Sequence, residues 1–195
     1  MTKVAITKFH VNELIRNRWS PRAFSGEKIS TEIMMSLFEA ASWAPSSRNE
    51  QPWRFIYGIK NEGLNYNKIY DTLVLWNQEW AKSAPLLVLT VAKLDSEFHN
   101  RENTFALYDL GQSVANLALQ ATSLNLYCHQ MGGFDEEKAK ETFQLPPHYN
   151  AVSVIAIGYL GDPNILPEDM KELELKARTR YDLDKIIFNQ NFRPK

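Results

Sequence analysis

The chain has 195 residues, 44% of them hydrophobic and 23% charged, and 22 Lys and Arg against 23 Asp and Glu leave a formal net charge of −1. That length suits one domain burying roughly 70% of the surface its unfolded chain exposes. Eight glycines and nine prolines are too few for a low-complexity or collagen-like chain, and the balanced charge argues against a general nucleic-acid binder. A single cysteine, Cys128, excludes a disulfide framework and any multi-cysteine metal site, and suits a reducing compartment. The opening residues, MTKVAITKFHVNELIRNR, are amphipathic and charged, unlike a secretory signal. The most apolar run, APLLVLTVA from Ala84, is far shorter than the roughly 20 residues that cross a bilayer. A soluble, cytoplasmic protein with neither nucleic-acid nor membrane partner is expected.

In chain order, helical and extended patterns alternate. Residues 9–16 form a short amphipathic stretch with Val11, Leu14 and Ile15 on one side. Ser30 suits the N-cap of a helix carrying Ile33, Leu37, Ala40, Ala41 and Ala44 at three- and four-residue steps, which Pro45 ends. Residues 53–59, WRFIYGI, read as a strand rich in aromatic and branched side chains. Residues 64–80 are a mixed helical region, and Pro85 opens a strand over 86–91. The strongest helical signal covers 103–124, where Leu107, Leu110, Val114, Leu117, Ala118, Ala121 and Leu124 trace one apolar stripe. Its Gly111, Ala115 and Ala118 are small enough for another helix to approach closely. Asp135 caps a charged helix ending at Phe143, and residues 151–159, AVSVIAIGY, are apolar enough for a strand covered on both faces. A last helix spans 167–177. The tail, 178–195, holds Tyr181, Leu183, Ile186, Ile187, Phe188 and Phe192, too apolar to float free in water. It packs either on its own domain or around a second subunit. No repeat or linker divides residues 1–195, which read as a single α+β domain with helices around a small sheet.

Four segments carry polar groups in patterns that suit a ligand. In Arg18-Trp19-Ser20-Pro21-Arg22, Pro21 restricts Ser20 to extended geometry, and alternate side chains of an extended chain share a face. Arg18, Ser20 and Arg22 then offer two guanidinium groups and a hydroxyl together, a set suited to a phosphate and an adjacent polar ring edge. A surface arginine pair bridged to carboxylates has the same spacing. In Pro45-Ser46-Ser47-Arg48-Asn49-Glu50-Gln51-Pro52, residues Ser47, Asn49 and Gln51 share a side if the loop is extended, and could match the mixed edge of a heterocycle. Such residues also often satisfy only their own backbone. The glycines of Met131-Gly132-Gly133-Phe134-Asp135 let backbone N–H groups reach a ligand, or make a tight turn before an N-cap. Arg178-Thr179-Arg180 repeats the alternating pair just past a helix C-terminus, where cations are favoured in any case.

Other chemistry-bearing residues read as structural. His10, His99, His129 and His148 have no ligand spacing, so no metal is expected. Cys128 and His129, adjacent in an extended segment, face opposite ways and suit a buried thiol beside a polar ring. Tyr66, Tyr70, Trp76 and Trp80 recur at helical spacing, which makes core packing the default.

The segments RWSPRAF, APSSRNEQPWRF, YDLGQSVANLALQA, MGGFD, IGYLGD and RTRYDLDKII occur in the order and spacing of the FMN-dependent nitroreductases, and the chain resembles that family over nearly its whole length. The resemblance implies a nitroreductase-like α+β fold, a central, mostly antiparallel sheet surrounded by helices. It also implies a homodimer that exchanges C-terminal arms, here 178–195, and holds two FMN in pockets built from both subunits. By position, Arg18 and Ser20 look like FMN phosphate or ribityl ligands, and Arg22 like the basic residue beside the flavin's pyrimidine edge. Ser46, Ser47, Asn49 and Gln51 resemble the loop that meets the ribityl chain and that edge. Met131, Gly132 and Gly133 correspond to backbone contacts near the hydride-accepting nitrogen, and Arg178 and Arg180 to a phosphate-binding pair. Trp19 stands where many members have Arg or His and suggests stacking; Gly132 stands where some carry Glu, leaving only an amide. Residues 64–80 often border the family's substrate entrance, which would make Trp76 or Trp80 a lid.

The implied activity is that of an oxidoreductase passing hydride from NADH or NADPH, through FMN, to nitroaromatic, quinone or related conjugated acceptors in ping-pong order. The chemistry is the flavin's, with Arg22 supporting its reduced form and no side-chain catalyst. No Gly-x-Gly-x-x-Gly follows a predicted strand, as suits one shared pocket without a separate dinucleotide domain. Two other functions fit the same residues: a flavin-binding protein with a regulatory or storage role and little turnover, and a relative that dehalogenates aromatics or fragments the flavin. The latter needs substrate-reading loops that are not found.

Overall fold

Two apolar strands organise the computed structural model, which describes residues 3–98 and 100–189. β2 (Leu86–Lys93) and β6 (Tyr149–Tyr159) are the inner strands of a four-stranded sheet whose edges are β1 (Trp53–Ile59) and β5 (Leu126–Met131), in the order β1-β2-β6-β5. All three pairings are antiparallel. Side chains alternate across β2: Leu87, Leu89 and Val91 enter one core with Tyr66, Ile69 and Trp80, and Leu86, Val88 and Ala92 enter a second with Leu37, Leu110 and Leu117. Both faces are covered, which is why these strands lack polar alternation.

Helices α2 (Thr31–Ser42) and α5 (Ala106–Ser123) cover one face; α3 (Asn65–Tyr70), α4 (Leu75–Ala81) and α6 (Glu136–Phe143) cover the other. The expected caps form: Ser30 Oγ accepts the Ile33 N–H at 3.2 Å, and Asp135 Oδ1 accepts the Lys138 N–H at 2.9 Å. α1 (Glu13–Asn17) and α7 (Glu168–Leu175) are shorter than their patterns suggested. The mixed region 64–80 splits into α3 and α4 because the chain between them leaves helical geometry to meet the glycine turn. Leu73 bridges to Phe134, and the Val74 N–H donates to Gly133 O at 3.1 Å. α5 starts at Ala106, since Asn103 Oδ1 captures the Phe105 N–H at 3.1 Å in a turn. A small hairpin of β3 (Asp95–Ser96) and β4 (Arg101–Glu102) was not expected, being too short to show periodicity. His99 lies outside the described residues, as does Phe192. Among the described residues no helix is long and apolar enough to cross a membrane.

Residues 18–25 run from the side of β5 to the end of β6. Phe24 bridges to Leu160, the Ser25 N–H donates to Tyr159 O at 3.0 Å, and the Gly161 N–H donates to Ala23 O at 2.9 Å. A Cβ at Gly161 would lie 2.5 Å from the Phe24 carbonyl, so only glycine allows this close approach.

Candidate functional site

The proline-restricted segment keeps its two-residue period. Trp19, Pro21 and Ala23 are buried, while Arg18 and Arg22 are half-buried and Ser20 is exposed. The buried side rests on β5: the Trp19 ring meets Tyr127 edge-on at 6.0 Å, and Pro21 O accepts from His129 Nδ1 at 2.9 Å. Residues from both chain ends then close over the polar side. Lys3, Arg18, Trp19, Ser20, Arg22, Glu174, Lys176, Arg178 and Arg180 line one cavity of about 290 Å³. Glu174 is the single acid among its lining residues, facing four arginines and two lysines.

Crowding of like charge shows in the electrostatics. Burial, and then the neighbouring Arg180, lower the Arg18 pKa; burial, and then Arg18 and Arg180, do the same at Arg178. Burial lowers the Lys3 pKa, opposed by Glu174 and reinforced by Arg22 and Arg178. An anion entering this cavity relieves that repulsion. The wall is held by main-chain contacts: Arg178 Nη1 donates to Lys3 O and Arg16 O, both at 2.8 Å, which ties the tail to the N-terminal segment. Lys3 Nζ donates to Lys176 O at 2.7 Å and to Glu174 O, terminal carbonyls of α7, and lies 4.9 Å from the Trp19 ring centroid. Arg18 Nη1 reaches Ser20 Oγ at 3.4 Å. Trp19 Nε1 and Arg22 Nε are buried without a hydrogen-bond partner among the described residues.

The serine-asparagine loop does not join this cavity. Ser47–Asn49 is a single 3₁₀ turn, and Arg48, Asn49 and Gln51 have φ of 54°, 56° and 46°. The expectation that Ser47, Asn49 and Gln51 share one side of an extended segment is therefore overturned. Left-handed geometry costs a non-glycine residue roughly 1–2 kcal/mol, and outside anchors impose it. The buried Asp109 carboxylate accepts the Ser47 N–H at 2.9 Å, Ser46 Oγ accepts the Gln51 N–H at 3.1 Å, and Glu50 accepts the Glu97 and Phe98 N–H groups at 3.2 Å and the Ser96 hydroxyl. The loop leads into β1, the opposite edge of the sheet from β5. Three strand spacings, about 14 Å, separate those edges.

The glycine turn occupies a third position. Met131 is 3% exposed and paired with Val154, so its side chain belongs to the core. Gly133 O accepts from Asn77 Nδ2 at 2.9 Å, and a Cβ at Gly133 would lie 2.7 Å from that nitrogen. Gly132 has open space where a Cβ would be. Neither glycine lines the arginine cavity; both follow Met131, the last residue of the edge strand that supports it.

Trp80 is 1% exposed, with its ring 4.4 Å from His129, so it is core and no lid; Trp76 is 45% exposed. Tyr66 and Tyr70 donate to Ala84 O at 2.8 Å and Gln78 O at 3.0 Å, both structural contacts. Burial pulls His129 down to about 4, opposed by the Pro21 carbonyl and aided by Arg22. On the other face of β5, burial pushes the Cys128 thiol up to about 12, against a small opposing effect of Arg18.

The family model described as Nitroreductase family matches residues 15–70 and 58–159. The chain belongs to the Nitroreductase family. Its fold matches the crystal structure of an oxidoreductase containing FMN with a TM-score of 0.92 and 33% identity, covering 97% of this chain and 96% of that one. A nitroreductase family protein from Clostridium difficile 630 shares the fold at a TM-score of 0.71 and 23% identity, over 92% and 97% of the two chains. Among sequence relatives, an Archaeoglobus fulgidus protein provisionally named NADH dehydrogenase/NAD(P)H nitroreductase is 27% identical over 89% of this chain and 94% of its own. A 15.4 kDa protein of Mycolicibacterium smegmatis with no assigned function is 32% identical over 69% and 94%.

In this nitroreductase-family chain the sequence reading missed Glu174 and Lys3. For Glu174 a signal existed: it stands one turn after Met170, on the buried face of α7. Lys3 had none, because its contacts cross from one end of the chain to the other.

Proposed function

We propose that this protein is an FMN-dependent oxidoreductase that passes hydride from NADH or NADPH to nitroaromatic, quinone or related conjugated acceptors, working as a cytoplasmic homodimer. The observation that carries the reading is the convergence of Arg18, Arg22, Arg178 and Arg180, from opposite chain ends, on one cavity with a single carboxylate. In a protein of net charge −1, that concentration suits a phosphate of about two negative charges, held by charge-assisted forked hydrogen bonds. Arg22 Nε and Trp19 Nε1, buried and without a hydrogen-bond partner among the described residues, add to the fit.

FMN, when bound, supplies the ring that accepts hydride from the nicotinamide and passes it on. Arg18, Ser20, Arg178 and Arg180 hold the phosphate end. Arg22 sets positive charge at the pyrimidine edge, where negative charge develops on reduction. Gly132 and Gly133 offer main-chain N–H groups unshielded by Cβ atoms. Trp19, edge-on to Tyr127, backs the arginine segment and lines the same cavity. Ser46, Ser47, Asn49 and Gln51 reach a flavin only from a partner subunit, since their own lies a sheet's width away.

Three further features support the homodimer. Tyr181, Ile186 and Ile187 of the tail are 77%, 56% and 64% exposed, so they find no cover on their own domain. Gly111 and Ala115 lie exposed on α5 beside Tyr108, 70% exposed, as a close helix contact needs. A groove of about 580 Å³ along the outer edge of β1, lined by Phe55, Tyr57 and Leu64, suits an extended apolar arm. A free, buried Cys128 is in keeping with the cytoplasm.

Purified protein is expected to be yellow or to take up added FMN, to bleach anaerobically with NADH or NADPH, and to regain colour with a quinone or nitroaromatic. A colourless preparation that ignores FMN overturns the reading. Bound flavin that stays oxidised for hours under excess nicotinamide replaces the oxidoreductase with a storage protein.

A further inference from the structure

The arginine cavity holds one acid, Glu174, that no flavin contact explains. It is 2% exposed. A buried carboxylate beside several guanidinium groups would ordinarily form a forked pair with one of them. Glu174 does not. Its two oxygens each accept the Arg22 N–H at 3.0 Å, and Oε1 also accepts the Ala23 N–H at 3.2 Å. The Arg22 guanidinium stands off at 4.0 Å, its Nε unpaired among the described residues. The carboxylate's hydrogen bonds thus go to the main chain, and its contact with the Arg22 guanidinium is one long ion pair, Nη1 to Oε2 at 4.0 Å, not a fork.

The surrounding contacts show a clamp. Pro21 O is held by His129 and Ala23 O by Gly161; between them, Glu174 holds the backbone at Arg22 itself. We propose that Glu174 is a positioning residue for the flavin. By binding the main chain at residues 22 and 23, it holds Arg22 in the cavity lining and limits its guanidinium to one long contact at 4.0 Å, short of a forked internal pair. This rests on the flavin reading for the ligand, though not for the clamp. What the backbone needs is an acceptor, not a charge. Glu174→Gln supplies one, its amide oxygen replacing Oε1 and serving both N–H groups. Glu174→Met, of similar length, leaves two buried N–H groups unpaired and Arg22 free to swing.

Two measurements test this on the full-length protein. In flavin-free protein, hydrogen exchange at the Arg22 and Ala23 amides is expected to stay slow in Glu174→Gln and to accelerate at least ten-fold in Glu174→Met. With FMN bound at a fixed redox poise, the ratio of reduced to oxidised flavin is expected to fall at least ten-fold in Glu174→Met and to stay within three-fold of wild type, or rise, in Glu174→Gln. Loss of negative charge alone would raise the ratio in both variants. In an Arg22→Ala background the Glu174→Met effect is expected to shrink below two-fold, because its target is gone. The proposal is overturned by a Glu174→Met effect of equal size in both backgrounds, by Gln and Met variants that fall together, or by unchanged exchange in Glu174→Met. If Glu174→Met does not fold, Glu174→Asp, one methylene too short to reach both N–H groups, replaces it under the same criteria. A wild-type protein that takes up no FMN breaks the flavin reading instead, and the exchange measurement then judges the clamp by itself.

Discussion

The two edges of the sheet carry the two polar clusters, and they are built in opposite ways. At the β5 edge, an extended segment keeps a strict two-residue period, buries Trp19 and Pro21 on the strand, and meets the chain's far end at Arg178 and Arg180. At the β1 edge, the loop after α2 is forced into left-handed geometry by anchors from α5 and the small hairpin. The first cluster closes within one chain. The second lies at the opposite edge of the sheet, three strand spacings or about 14 Å across, and lines no part of that cavity; on the homodimer proposal a second subunit brings its ligand. Two motifs that the sequence offers together can therefore lie apart in the fold.

The sharpest way to break that comparison is subunit complementation. Arg18→Glu and Ser47→Glu should each lower acceptor reduction about 1,000-fold, roughly 4 kcal/mol. Refolded together, they should recover about a quarter of wild-type activity, since half the dimers are hybrids and each hybrid has one site free of both changes. No recovery would place both clusters in one subunit's site.

Acidification probes the β5 edge. His129 stays neutral in the folded protein down to about 4, while the unfolded chain takes up its proton near 6.5. Stability is full above pH 6.5 and falls as pH drops toward 4, by about 2–3 kcal/mol at pH 4.5. Denaturant melts at pH 7 and 4.5 measure this. His129→Gln, which keeps a donor for Pro21 O, should flatten the dependence.

Arg180→Ala should weaken FMN about 30-fold, near 2 kcal/mol, with little change in flavin reduction at saturating FMN. Arg22→Ala should do the reverse, slowing reduction more than it weakens binding; fluorescence titration and stopped-flow traces separate the two. Asp109→Ala, at the β1 edge, should cost about 1–2 kcal/mol in a denaturant melt by releasing the Ser47 N–H. The smallest effect is at Cys128, which is buried with its pKa pushed up to about 12. It should not react with a thiol reagent until the protein unfolds.

How much of this was legible follows from distance along the chain. Caps at Ser30 and Asp135, the apolar stripe of α5 and the doubly covered strands are set by neighbours within a turn or two, and the sequence patterns place them. The alternation of Arg18, Ser20 and Arg22 was equally readable, because Pro21 restricts the backbone locally. The family itself was legible from its motifs. What no local pattern contained was the left-handed turn at 48–51, the clamp of Glu174 on Arg22, the latch of Lys3 on α7, or the burial of Trp80 against His129. Each depends on a contact between residues tens to more than a hundred positions apart, where loop closure and packing, not propensity, choose the partner. The sequence by itself determined which segments bear charge and which bury; only the tertiary structure decided which charges meet.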